Sequence, residues 1–186
     1  MDLSQIVNIV VAFSNFYGLK ILTLDLNYFQ ICFFTTVIIA SFLMHISEQK
    51  HGLHGISPFS SFSNKFLWLD RITANFAMLY ILYSIHIDYC FWHQTYSFDS
   101  IKEYILQGEC FNVIFPYLLL GFSSLAISEN WPNINKILFV VTHCIWHYCA
   151  FEIIYIVMMN NINNEMLKSR MAKMINHDNL YSYLRN

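Results

Sequence analysis

From Asn27 to Ser47 the chain carries no Asp, Glu, Lys or Arg, and this run narrows its possible folds more than any other feature. A helix that crosses the hydrocarbon of a bilayer needs about 20 mostly apolar residues. The run does not stand alone. Ile6 to Leu24 is apolar apart from Lys20, and Phe66 to about Ile87 carries Asp70 and Arg71 only in its first turns. Cys110 to Ser128 contains Pro116, and Asn135 to about Met159 holds Glu152 inside it. A proline is tolerable in a packed membrane helix, where neighbouring groups satisfy the freed carbonyl.

Composition points the same way. Hydrophobic residues make up 56% of the 186 and charged residues 12%, against about 45–50% and about 25% in ordinary soluble domains. A water-soluble chain of this size must cover its surface with polar groups, and this one lacks the supply. We therefore expect an all-α protein, a multi-pass transmembrane bundle of five to seven spans over residues 1–160. A polar, cytoplasmic tail over 161–186 follows, with Lys168, Arg170 and Lys173 in it. The net charge of −2 and scattered basic residues give no field for nucleic acid. Membrane lipid is the expected partner. The N-terminal residues show no positive region and no small-residue cleavage site, so the first apolar run is expected to stay as an anchor. The five cysteines form no CxxC pair and read as small buried apolar residues. Glu48 to Lys65, with Gly52, Gly55 and Pro58, reads as a loop, and Asn130-Trp131-Pro132-Asn133 as a turn. The aromatic but charged stretch from Asp88 to Glu109 fits an interfacial helix better than another span.

Ionisable groups inside a membrane are costly, which makes them the first candidates for function. Ser41 and His45 stand one helical turn apart, as do His143 and His147, so each pair shares a helix face. Two such imidazoles can bind one metal from a rigid helix, and His45 could supply a third ligand, leaving a position open. A zinc ion there lowers the pKa of a water toward about 7. Asp70 could take that water's proton, and Ser41 could orient it or stabilise an oxyanion. Each element also has a plainer reading. Histidines join membrane helices by hydrogen bonds, serines pack or bond back to their own helix, and a carboxylate beside Arg71 favours a helix N-terminus.

Taken as a set, Ser41-Phe42-Leu43-Met44-His45, then Asp70, then His143-Cys144-Ile145-Trp146-His147 resemble the CREST superfamily of membrane hydrolases. That superfamily includes alkaline ceramidases, adiponectin and progestin-type receptors, and GPI-anchor remodelling proteins. The resemblance implies a seven-helix core with zinc held by His45, His143 and His147, and Ser41 and Asp70 beside the site. It implies hydrolysis of a lipid amide or ester. Trp146, Trp68 and several Phe are then expected to line the chamber. The resemblance spans most of the chain but through these five residues, and the stretch from Asp70 to His143 is shorter than the family's usual four helices need.

Topology constrains the reading further. Asp70 and the histidine pair can meet only if an even number of spans separates them, which favours five spans, or seven with short helices. The basic residues Lys50, Lys65 and Arg71 and those of the tail all favour the cytoplasm, which asks instead for an even count. Metal–ligand bonds of about 2 Å are the stricter constraint. The site then lies toward the outer or luminal face. Two rival readings remain: a non-enzymatic receptor or membrane-remodelling protein with a structural zinc, and a plain helical bundle without metal. Glu48, His51 and His54 have no role in any of them.

Overall fold

The computed structural model describes residues 2–49, 52–93, 109–130 and 135–184. Their longer elements are helices and they hold no strand: α1 (Leu3–Ser14), α2 (Tyr28–Ser47), α3 (Ser63–His93), α4 (Glu109–Asn130) and α5 (Lys136–Leu184). Residues 94–108, the bulk of the segment expected at the interface, and most of the turn after Asn130 lie outside the described residues.

Helix starts follow from local chemistry. Asp2 accepts from the Gln5 backbone N–H at 2.8 Å while the Gln5 side chain accepts from Asp2 N–H at 3.1 Å. Asn27 and Gln30 repeat the arrangement at the start of α2, at 3.0 and 2.9 Å. Each pair satisfies backbone donors that have no partner inside the helix. At its other end α1 tightens into a 3₁₀ helix over Asn15–Thr23. There Ser14 Oγ donates to the Val11 carbonyl, and Asn15 Nδ2 to those of Val11 and Ala12. Side chains thus compete for the carbonyls at the transition.

α2 and α5 form the middle of the bundle. α3 packs along α2, α4 along α5, and α1 with its 3₁₀ continuation lies against both central helices. Gly121 makes the α4–α5 approach possible, because a Cβ there would lie 2.9 Å from Cys149 Cβ. The core joins Phe34 and Ile38 of α2 to Ile21, Ala77, Ile81, Ile114, Phe151 and Met158. A second cluster joins Val7 and Val11 to Leu53 and Phe139.

Large apolar side chains lie on the surface, and several polar ones are buried beside the apolar core. Tyr28, Phe29, Trp68 and Ile137 are exposed, while Asn8, Asn15, Ser47, Glu48 and Glu152 are buried. Among the described residues, four helical segments are long and apolar enough to cross a membrane: Leu3–Thr23, Tyr28–Ser47, Asn112–Glu129 and Lys136–Met166. α3, which forms over the expected third span, is not among them; Asp70, Arg71 and Asn75 lie along its first turns. α5 continues unbroken beyond 160, where the composition turns polar. Cys149 is buried and Cys144 half-buried, but Cys32, expected inside, is exposed. It lies on the outer side of α2 with the exposed Tyr28 and Ile31.

Candidate metal centre

His45 occupies the last turn of α2, and His143 and His147 face it from successive turns of α5. The ring centroids lie 4.6 Å apart for His45 and His143, and 4.9 Å apart for both pairs that include His147. One potential ligand atom from each residue lies within 4.8 Å of the other two, and all three residues are buried. Around a tetrahedral zinc with Zn–N bonds of 2.0–2.1 Å, ligand nitrogens stand about 3.3 Å apart. A small inward movement of the rings closes that gap.

Hydrogen bonds fix which nitrogen each ring can offer. Ser14 Oγ spends its proton on the Val11 carbonyl at 2.6 Å, so at 2.7 Å from His147 Nδ1 it acts as an acceptor. Ser128 Oγ donates to the Leu125 carbonyl at 2.9 Å and accepts from His143 Nδ1 at 3.2 Å. Glu48 Oε2, 3.1 Å from His45 Nδ1, accepts in the same way. All three rings are therefore held as the Nδ1–H tautomer, and a neutral imidazole in that form carries its lone pair on Nε2. His45 Nε2 is buried and has no hydrogen-bond partner among the described residues. Ring nitrogens oriented from behind by hydroxyl or carboxylate acceptors are the usual setting of metal-bound histidine. The residues present fit a cation.

The other residues singled out from sequence lie beside this cluster. A side-chain hydrogen bond joins Ser41 to Asp70, with the charges of Glu48 and Arg71 acting on the same carboxylate. Ser41, Asp70 and the three histidines line one cavity of about 390 Å³. Its remaining wall is largely apolar, with Val37, Ala77, Ile81, Leu118 and Ile154 among the lining residues. Trp146 and Phe151 belong to the wall as well. Trp68, expected there, is instead 63% exposed. It precedes Asp70 on α3 by two residues, about 200° around a helix, and so points outward.

Sequence reading missed the acceptors behind the rings. Ser14 and Ser128 sit in apolar runs and look like packing residues. Glu48 carried a usable signal, because it follows His45 by three residues, the spacing that brings side chains together at a helix end.

The chain is 30% identical over 165 residues to uncharacterized protein L282 of Acanthamoeba polyphaga mimivirus, an alignment that covers 82% of this chain and 97% of that protein. No family model matches the chain. No solved structure matches it.

Proposed function

The chain belongs to one family with the mimivirus protein L282, and for it we propose an integral membrane protein of five spans that hydrolyses an amide or ester bond of a bilayer lipid with the help of zinc. α3 is the fifth span in this reading. Its Asp70 and Arg71 line the chamber, which offsets their cost. One observation carries the proposal: three buried imidazoles with fixed tautomers share a single cavity with a hydrogen-bonded Ser41–Asp70 pair. This is the grouping that the likeness to the CREST superfamily implies.

His45, His143 and His147 would hold the ion. Neutral imidazole suits zinc, and three protein ligands leave a position open for chemistry. Bound there, zinc polarises a carbonyl and makes a neighbouring water acidic. The chain's own residues do the rest. Asp70 accepts the proton of the attacking water and returns it to the leaving nitrogen or oxygen as the carbonyl–heteroatom bond breaks. Ser41, bonded to that carboxylate, keeps it aimed at the centre. The apolar wall takes the lipid chain and keeps bulk water away.

A structural zinc in a non-enzymatic membrane protein is the rival reading, favoured by the near-complete burial of the three rings, each 4% exposed or less. The deciding experiment uses the full chain purified in detergent. Metal content is measured alongside release of fatty acid from a panel of lipid amides and esters. Stoichiometric zinc and chelator-sensitive turnover are expected. Asp70→Asn should keep the zinc and lose about 10²–10⁴-fold in turnover. Zinc without turnover on any substrate would support the rival, and absence of metal would remove both.

A further inference from the structure

Glu48 has no part in the chemistry just described, yet the fold takes trouble to place it. α2 ends at this residue, whose backbone turns extended at φ −61° and ψ 131° while its N–H still reaches the His45 carbonyl at 3.3 Å. The Glu48 carbonyl accepts from Asn8 Nδ2 of α1 at 2.9 Å. The following loop folds back on the helix end: Ile56 N–H donates to the Ile46 carbonyl at 3.0 Å, and a Cβ on Gly55 would collide with the Ser47 carbonyl. A glutamate at an exposed helix end ordinarily turns to water. This side chain is 9% exposed and turns in toward His45.

We propose that Glu48 is a positioning residue of the metal centre, holding His45 in the orientation and tautomer that a bound cation requires. The inference rests on reading the three histidines as metal ligands and is independent of whether the protein turns over lipid. The acceptors behind His143 and His147 are neutral hydroxyls. The acceptor behind His45 is a carboxylate, and a hydrogen bond to an ionised acceptor is shorter and stronger than a neutral one. Such a carboxylate also raises the basicity of the ligand nitrogen on the far side of the ring. His45 comes from a different helix than the other two ligands and sits beside the irregular end of α2. It is the ring with the most to gain from an anchor. Asn8 and Gly55 make that anchor rigid, so the connection between α2 and α3 becomes part of the metal site.

The test measures Co²⁺ and Zn²⁺ affinity by competition with a chelator, together with the Co²⁺ visible spectrum, on the full chain in detergent. Glu48→Ala should weaken binding by about 10–100-fold, the range for loss of an outer-shell partner of a metal-bound histidine. Glu48→Gln keeps an acceptor but drops the charge. It should weaken binding by about 10-fold at most and shift the cobalt bands. Affinity and spectrum unchanged from wild type in Glu48→Gln, and in Glu48→Ala where that variant folds, overturn the proposal. A wild-type protein that binds neither ion overturns it together with the metal reading, whereas tight binding without lipid turnover overturns the hydrolase reading alone.

Discussion

Two buried polar clusters share α5 and the first segment of the chain, and they are finished in different ways. Around Glu152 nothing is missing. Lys20 Nζ lies 2.7 and 2.9 Å from its two carboxylate oxygens, and Tyr17 donates to it at 3.0 Å. The same ammonium sits 4.0 Å from the centre of the Tyr155 ring. Around His147 the groups facing outward from the centre are satisfied by Ser14, Ser128 and Glu48, while His45 Nε2 has no hydrogen-bond partner among the described residues. Burial makes an unpaired polar atom expensive, so a cluster closed on itself reads as architecture. One that leaves a buried lone pair over could hold a metal ion.

The contrast can be broken most forcefully at the histidines. His143→Ala should cost more in zinc affinity than the roughly 10–100-fold that an outer-shell change costs, measured by chelator competition; affinity within that range would make His143 a packing residue. The closed cluster should behave in the opposite sense. Lys20→Met leaves Glu152 without its cation and with only the Tyr17 hydrogen bond, and since Lys20 is 36% exposed the loss should be smaller than for a fully buried pair, about 2 kcal/mol in thermal unfolding. Adding Glu152→Leu should recover most of that loss, because an apolar pair replaces a buried ion pair at little cost. Zinc affinity should stay unchanged in both variants.

Gly121→Ala probes the packing that both clusters depend on. Its Cβ would press on Cys149 and approach Trp146, so about 1–2 kcal/mol of stability should be lost through overpacking, with a few-fold loss in metal affinity as Ser128 shifts. The smallest effect is expected at Asp2, outside both clusters and ahead of the first long apolar segment. The hydrogen bond from His54, then that from the Gln5 backbone, holds the Asp2 carboxyl below the usual carboxylate range. A depressed folded-state value means that its contribution is present at neutral pH and disappears as the pH falls through that value. Asp2→Asn should therefore remove a small acid-sensitive part of the unfolding midpoint and leave metal affinity alone. A shift matching that of Lys20→Met would sink this ranking.

Much of the architecture was legible because helices long and apolar enough to cross a membrane announce themselves by long apolar runs. α2 begins within a residue of its expected start because Asn27 both ends the polar stretch and caps the helix. Where the pattern is weaker, so was the reading. The tightening of α1 into a 3₁₀ helix depends on side-chain bonds from Ser14 and Asn15 that hydropathy does not register. The three histidines were legible as a set, since one turn of spacing places His143 and His147 together and His45 beside Ser41 is unusual in an apolar run. The acceptors behind them were not, because a serine that orients a ring and a serine that packs have the same sequence signature. Lys20 and Glu152 each stood out as charges in apolar segments, but nothing local says that they pair across 132 residues.

Ser14, His45, Ser128 and His147 come from four different helices, and each either grips the prospective ion or grips a residue that does. An ion seated there would act as a rivet through the bundle. Every tenfold excess of free metal over its dissociation constant would add about 1.4 kcal/mol to the folded state. Heat resistance would then track metal supply, and starving the protein of its ion would loosen helices that never touch it.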